Sequence, residues 1–367
     1  MKVLQLIPVL SVGGAEVVVL LLARELRKLG QQVAVVALGS ETGSWIERAL
    51  REEGVQLRFL DKGPGLDPRC IPRLRRSLKE LAPDVVHTHL HVLKYLLATG
   101  SGVPVVHTLH NLAQHEATRA DQALQQLAFR LPRVRAVAIG QGVVESVREL
   151  YGIEPAANIP NGIEVMKQRC PEGTRQEARG ELGVDQDVPL FVTVGRLTAQ
   201  KNHRLLLRAW ADPRLEALGA TLLIVGDGEL RQELEQAAAP LGQRVRFLGI
   251  RRDVPRLLAA SDAFALSSDY EGNPLVVMEA LSAERPVVAT AVGCVPELIE
   301  DFTGRLVPPG DAAALSEALV ELASDRALCQ DLGGEAGLYA LKRFDAAAMA
   351  AAYLHLYTAF RTHLGLA

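Results

Sequence analysis

Aromatic residues make up only 4% of this chain of 367 residues, and its four cysteines follow no paired spacing. Cys70, Cys170, Cys294 and Cys329 are scattered, which excludes a C-x-x-C redox pair and a zinc module; they read as ordinary thiols of a reducing compartment, with no disulfide expected. No stretch reaches about 18 uninterrupted apolar residues, so no membrane-spanning helix is expected. The opening Met1–Pro8 is too short for the apolar region of a signal peptide and reads as a buried first strand. Neither sign of charge dominates. The formal net charge of −3 divides into 19 Lys and Arg against 16 Asp and Glu over residues 1–165, and 21 against 27 over the rest, which argues against bulk nucleic-acid binding. Also absent are a G-x-S-x-G elbow, a Ser/Lys nucleophile arrangement, a Walker loop and a G-x-G-x-x-G fingerprint, so neither nucleophilic catalysis nor an NAD-type dinucleotide fold is indicated.

What is present is a rhythm of short Val/Ile/Leu runs separated by helical stretches. The runs are Val3–Ile7, Val33–Ala37, Gln56–Leu60, Val85–His87, Val103–His107 and Arg135–Ile139, then Leu190–Val194, Thr221–Val225, Arg244–Leu248, Ala263–Leu266, Val287–Ala289 and Arg305–Val307. Such runs suit parallel strands buried on both faces. The length exceeds what one hydrophobic core supports, so the spacing predicts an α/β protein of two Rossmann-like domains, residues 1–165 and 166–344. Pro160-Asn161-Gly162 marks a turn, and the polar stretch to about Val188 reads as the linker. The apolar helix expected over 345–367 must pack on something large, and the first domain is its expected partner.

Chemistry concentrates in Tyr270–Leu281. Glu271 and Glu279 stand at the mouth and inside of an expected helix, with Asn273 as N-cap and Pro274 at the first helical position. The amides of Asn273, Leu275 and Val276 would then offer an anion site. A carboxylate such as Glu279 inside an apolar helix needs hydroxyl donors. Gly195-Arg196-Leu197 and Lys201 follow a strand end, where open sheets bind ligands, and the two cations could neutralise a diphosphate. The bland alternative is a solvated loop. Gly226-Asp227-Gly228 is a second strand-to-helix turn, compatible with close approach to a ligand or with a plain tight turn. Gly13-Gly14 offers an unhindered amide cradle after the first strand. His87, His89, His91, His107 and His110 cluster at expected strand ends. We expect His89 to face away from His87 and His91, and no carboxylate completes a ligand set, so no metal site is expected. His110 is the best-placed imidazole to meet a hydroxyl or carbonyl.

In this order these motifs resemble those of the retaining GT-B glycosyltransferases of the fourth family, the glycosyl transferases group 1 type. The resemblance covers nearly the whole chain, from Gly13-Gly14-Ala15-Glu16 through Pro160-Asn161-Gly162-Ile163 and Val194-Gly195-Arg196-Leu197 to Glu271–Glu279 and Val295-Pro296-Glu297. It implies a GT-B fold, two Rossmann-like domains with parallel sheets facing across a cleft. It implies that Arg196 and Lys201 hold a donor diphosphate, Glu279 takes ribose hydroxyls and Glu271 contacts the transferred sugar, with His110 beside it. Gly14, Gly195, Gly226, Asn273, Leu275 and Val276 would line the donor site, Ile250 would receive the base through its backbone, and Gly13 and His89 would lie on the acceptor side. The implied reaction moves a hexosyl or N-acetylhexosaminyl group from a nucleotide sugar, a UDP sugar by expectation, to a glycan or lipid-linked acceptor. The nucleotide sugar is a substrate, and neither cofactor nor metal is expected. A cytoplasmic location follows, with peripheral contact to anionic membrane through Arg69, Arg73, Arg75, Arg76 and Lys79. A GT-B nucleotide-sugar 2-epimerase and a non-catalytic nucleotide-sugar-binding protein are the competing readings. Cys294 replaces a glycine common in the family and would narrow the donor-sugar loop.

Overall fold

Runs of β-branched and aliphatic residues too short for helices form most of the thirteen parallel strands in the computed structural model, which describes residues 1–366. The strands β1 (Lys2–Ile7), β2 (Gln32–Ala37), β3 (Gln56–Phe59), β4 (Val85–His89), β5 (Val105–Thr108), β6 (Val134–Ala138) and β7 (Ala157–Asn158) make one sheet in the order β3-β2-β1-β4-β5-β6-β7. A second sheet holds β8 (Leu190–Val194), β9 (Thr221–Val225), β10 (Val245–Gly249), β11 (Ala263–Leu266), β12 (Val287–Thr290) and β13 (Gly304–Val307), in the order β10-β9-β8-β11-β12-β13. Both are doubly wound, and each reverses its winding once, between β1 and β4 and between β8 and β11. β7, only two residues long, escapes the sequence pattern because it has no apolar run of its own.

The chain forms two compact units, Met1–Gly162 with the chain from Ala346 onward, and Ile163–Asp345. The second unit closes where it begins: Ile163 bridges Asp345, and its N–H donates to the Phe344 carbonyl at 2.7 Å. The stretch read as a linker up to Val188 belongs to this unit. It contains the helix Thr174–Leu182, which packs on the helix Val254–Ala260. The polar sequence misleads because Arg179 is fully buried. Its guanidinium donates to the carbonyls of Ala260, Asp185 and Val188 and pairs with Asp262 at 2.7 Å. Trp210, Phe191, Leu222 and Ile224 fill the core beneath this sheet.

In the first unit the helix Ala346–His363 lies along the helix Gly14–Lys28 and covers β4 and β5. Two buried tyrosines fasten it. The Tyr357 hydroxyl meets His87 Nδ1 at 2.7 Å, and that of Tyr353 meets Thr108 Oγ1 at 2.8 Å, while Thr108 Oγ1 in turn meets His87 Nε2 at 2.7 Å. Thr88 and His107 face the other way, towards Gln125 and Tyr151. Residues two apart in a strand share a face, and the rings of His87 and His89 accordingly stand 4.1 Å apart, which corrects the expectation that they diverge. His91 lies beyond the strand in a 3-10 turn, Leu90–Val92.

Replacing Tyr357 by Phe leaves His87 Nδ1 buried without a partner. We expect a loss of about 1–3 kcal/mol in chemical denaturation, with the slope of the unfolding curve unchanged; an unaltered midpoint would show that this bond does not hold the helix.

Candidate active site

The loops at the C-terminal ends of β8 and β11 leave the sheet where its winding reverses, and there the two loops are stitched together. Lys201 Nζ meets Glu271 Oε1 at 2.5 Å, and the Ser268 hydroxyl donates to the same oxygen at 2.6 Å. Ser267 Oγ lies 3.0 Å from the carbonyls of both Lys201 and Asn202, and Asn202 Nδ2 donates to Asp269 at 2.7 Å. Asn202 adopts φ +42°, a conformation asparagine tolerates better than most residues, and its side chain caps the helix His203–Trp210 at Leu205 N–H. Gln200 closes the seam by donating to the Tyr270 carbonyl at 3.0 Å.

Lys201 is therefore already neutralised by Glu271, which is almost fully buried. Arg196 is exposed, and its side chain has no hydrogen-bond or ion-pair partner among the described residues. Of the two cations it is the free one. The Lys201 stem packs beside Gly195, where a Cβ would lie at an ordinary contact distance of 3.5 Å from Lys201 Cε.

Gly226 and Gly228 are required by the packing of the loops. A Cβ at Gly226, at φ +135°, would lie 1.9 Å from the Gly195 carbonyl oxygen, and one at Gly228 would lie 2.5 Å from that of Leu197. Leu197 N–H donates to the Asp227 carbonyl and Gly226 N–H to that of Gly249, so the ends of β8, β9 and β10 are layered through backbone bonds. Ile250 follows Gly249 and projects into solvent, 74% exposed.

The helix after β11 starts one residue later than the sequence suggested. It spans Leu275–Ser282 with Pro274, not Asn273, at the N-cap and no side-chain cap. Proline's lack of an N–H costs nothing there, and the N–H groups of Leu275 and Val276 are left with no acceptor among the described residues. Asn273 itself is buried in the preceding loop. Glu279 lies one turn further on. It is half-buried, its carboxylate accepts no hydrogen bond from the described residues, and burial alone pushes it up to about 7. The loop after β12 supports the same place from behind. Gly293, at φ +54°, sits where a Cβ would lie 1.8 Å from the Glu271 carbonyl oxygen, and Cys294 N–H donates to the Gly272 carbonyl. The Cys294 side chain is fully buried, so it fills the interior behind this loop instead of narrowing an open surface.

The first unit presents a different site at its own switch point. The cradle is filled from within at Gly13: Glu16 occupies the space there, where a Cβ would lie 2.5 Å from its Oε2, and Ser11 donates to its Oε1, whereas the space over Gly14 is open. A carboxylate in the first turn suits the positive end of that helix, so the cradle expected to be unhindered is hindered at Gly13. His89 is fully buried and meets His110 Nε2 through Nδ1 at 2.8 Å and Gln5 Oε1 through Nε2 at 3.0 Å. Burial lowers His110 to about 4 and His89 far below the usual imidazole value, so both are neutral. Gln5, Ser268 and Tyr357 escaped sequence reasoning, because a single polar residue in an apolar run carries no signal until its partner is known.

Two matched family descriptions cover both units, Glycosyltransferase Family 4 over residues 12–167 and Glycosyl transferases group 1 over residues 188–325. The UDP-Gal:alpha-D-GlcNAc-diphosphoundecaprenol alpha-1,3-galactosyltransferase of Escherichia coli is 31% identical over 281 residues, 71% of this chain and 72% of the relative. The chain belongs to the glycosyl transferases group 1 family. A D-inositol 3-phosphate glycosyltransferase of Actinosynnema mirum is 30% identical over 88% of this chain and 87% of its own length. Anabaena HepE, solved with UDP and glucose, superposes with a TM-score of 0.85 over 98% of this chain and all of that one; at 22% identity it establishes the shared GT-B fold.

Lys201→Ala strands the Glu271 carboxylate with one hydroxyl donor. We expect a loss of about 2 kcal/mol, below the full cost of an uncompensated buried charge because Lys201 keeps 17% of its side chain exposed, read as a lowered midpoint in urea. Gly226→Ala should cost about 3 kcal/mol or more through steric conflict; wild-type stability in either variant would show that the seam is not as drawn.

Proposed function

We propose that this glycosyltransferase moves a hexosyl or N-acetylhexosaminyl group from a nucleotide sugar, a UDP sugar, to an acceptor in cell-surface polysaccharide or glycolipid assembly, with retention of anomeric configuration. The observation that carries the reading is the helix start at Leu275. Two unpaired N–H groups stand there at the positive end of the dipole, on the loop that the seam ties to the Arg196–Lys201 segment. The Escherichia coli relative is named for UDP-Gal and a diphosphoundecaprenol-linked acceptor, and HepE was solved with UDP and with UDP-glucose. Those names support a uridine nucleotide here.

In this reading the Leu275 and Val276 amides and Arg196 take the diphosphate. Arg196 supplies the planar fork that suits it. Lys201 shifts from Glu271 towards the phosphate as Glu271 receives a sugar hydroxyl, so one charge exchange links sugar and phosphate recognition. Glu279 accepts from ribose hydroxyls. The acceptor oxygen bonds to the anomeric carbon on the face the diphosphate leaves, the carbon–oxygen bond to phosphate breaks, and the acceptor proton passes to the departing phosphate oxygen. No separate general base is then required. Neither metal nor cofactor is needed, because Arg196, Lys201 and the helix amides supply the positive charge.

We also propose a cytoplasmic setting with peripheral contact to anionic lipid through the helix Cys70–Leu81. Of the four basic residues in this helix and Arg69 just before it, three have partners within the protein: Arg69 pairs with Asp67, and Arg73 and Arg75 donate to the Leu60 and Thr99 carbonyls. Arg76, paired with Glu80 on the surface, and Lys79 are the better tests. Liposome partitioning that ignores their replacement by Gln would remove the membrane contact.

Thermal shift against UDP, GDP, ADP and their sugars, with and without EDTA, tests the donor. Stabilisation by uridine nucleotides alone, untouched by EDTA, is expected, at roughly 2.7 kcal/mol for a ligand at 100 times its dissociation constant. Glu279 adds a signed pH dependence. Its carboxyl is raised to about 7 when empty, and hydroxyl donors favour the ionised form, so UDP affinity should fall as pH drops below about 7 and level off above it. The phosphate also titrates near this range, so the reading is the difference from Glu279→Gln, whose profile should be flatter and whose affinity should be lower by about tenfold at pH 8. Identical profiles would take ribose away from Glu279.

A further inference from the structure

The polar chain from Gln5 to His110 has a direction that its atoms decide. Gln5 is fully buried on β1, and its Nε2 lies 3.3 Å from the carbonyl oxygen of Val19 in the helix Gly14–Lys28. A carbonyl cannot donate, so the group facing Val19 is the amino group and Oε1 faces His89 Nε2. Oxygen there requires the proton to sit on His89 Nε2. His89 has no carboxylate among its partners and is completely enclosed, so it is neutral and carries a single ring proton. Its Nδ1 is then a lone pair, and the 2.8 Å contact demands an N–H from His110 Nε2. His110 is neutral by the same physics, held down to about 4 by burial, which leaves the lone pair on its Nδ1.

That atom has no donor among the described residues, and it is not among the sealed, unpartnered polar atoms, so it is open to a ligand. The turn that follows His89 is built at a conformational cost. Leu90 adopts φ +58°, a left-handed geometry that a residue with a branched side chain rarely takes, and it redirects the chain immediately after the relay. Glu116 supports the other end, with its carboxyl within hydrogen-bond reach of the His110 and Asn111 amides.

We propose that Gln5 and His89 are positioning residues that lock His110 in its Nε2–H tautomer, so that His110 meets the substrate as a hydrogen-bond acceptor through Nδ1. The consequence for recognition rests on the transferase reading together with the expectation, implied by the family resemblance, that His110 lies beside the transferred sugar. The sugar must then offer a hydroxyl donor at that place, and a sugar presenting a carboxylate there sets one acceptor against another and is rejected. Gln5 and His89 exert this choice without touching the sugar. Two imidazoles carry the preference of one buried amide to the ligand, and neither has to ionise.

The test is long-range proton–nitrogen NMR on the full chain labelled at histidine, with His110 assigned by loss of its signals in His110→Asn. The wild-type protein should show an acceptor-type Nδ1 and a protonated Nε2 that hold between about pH 6 and 8. In Gln5→Leu and His89→Phe, each first checked for cooperative unfolding, His110 should average between tautomers. A protonated Nδ1 in the wild type, which needs no variant to fold, would overturn the proposal, as would an unaltered tautomer in both folded variants. Kinetics separates this from the donor reading. With UDP-glucose as probe, kcat/KM should fall about tenfold in Gln5→Leu while UDP affinity stays within about twofold. A tautomer that changes while kcat/KM does not would remove the positioning role and leave the transferase intact. If UDP-glucose neither binds nor turns over, the donor reading fails, and the nitrogen spectra still decide the relay.

Discussion

A doubly wound parallel sheet has one place where neighbouring loops diverge, and in each unit that constraint fixes where chemistry can occur. In the second unit the divergence falls between β8 and β11, and the gap is bridged by the Lys201–Glu271 ion pair and the Ser267, Ser268 and Asn202 hydrogen bonds. Everything around it is arranged by backbone contact. Gly226, Gly228 and Gly293 allow carbonyls to pass where a side chain would collide, and the layered loops carry Arg196, Lys201 and the start of the helix Leu275–Ser282. An ion pair at such a point is more than a staple. In the proposed reading, a ligand that brings its own anion and its own hydroxyl would give the partly open Lys201 a new counter-charge and the buried Glu271 a hydrogen-bond donor in its place.

The first unit solves the equivalent problem with neutral groups. Its gap, between β1 and β4, holds Gln5, His89 and His110, and the adjoining face holds His87, Thr108, Tyr353 and Tyr357. Deep burial keeps these imidazoles uncharged, so the network works by hydrogen-bond direction instead of Coulomb attraction. The His87–Thr108 branch fastens the returning C-terminal helix through Tyr353 and Tyr357, and it touches the Gln5–His89–His110 chain only through the packed rings of His87 and His89. A chain poor in aromatics thus places two of its six tyrosines here.

Most strands were legible because a strand buried on both faces must be apolar throughout, and that run survives in the sequence. Leu190–Val194, Thr221–Val225 and Ala263–Leu266 fall where the pattern puts them. The failures were local and physical. Thr174–Leu182 looked like a linker because its buried contact is made by an arginine, Arg179, whose charge is met by carbonyls and Asp262 supplied from elsewhere. At Gly226 and Gly228 the sequence pattern left a ligand approach and a tight turn open, and the close neighbours there are the Gly195 and Leu197 carbonyls. His87 and His89 share a face because a strand repeats every two residues.

The sequence by itself determined the α/β class, the two doubly wound sheets and the family, because apolar periodicity and ordered motifs are properties of the chain read in one dimension. It also named most residues at the candidate site. Only tertiary structure decided which of them are free and which are spent. Lys201 is paired while Arg196 is open, Glu16 fills the cradle at Gly13, and Gln5, 84 residues from His89, sets its proton. Charge state and hydrogen-bond direction belong to contacts between distant segments, and a residue's own neighbours in sequence do not specify them.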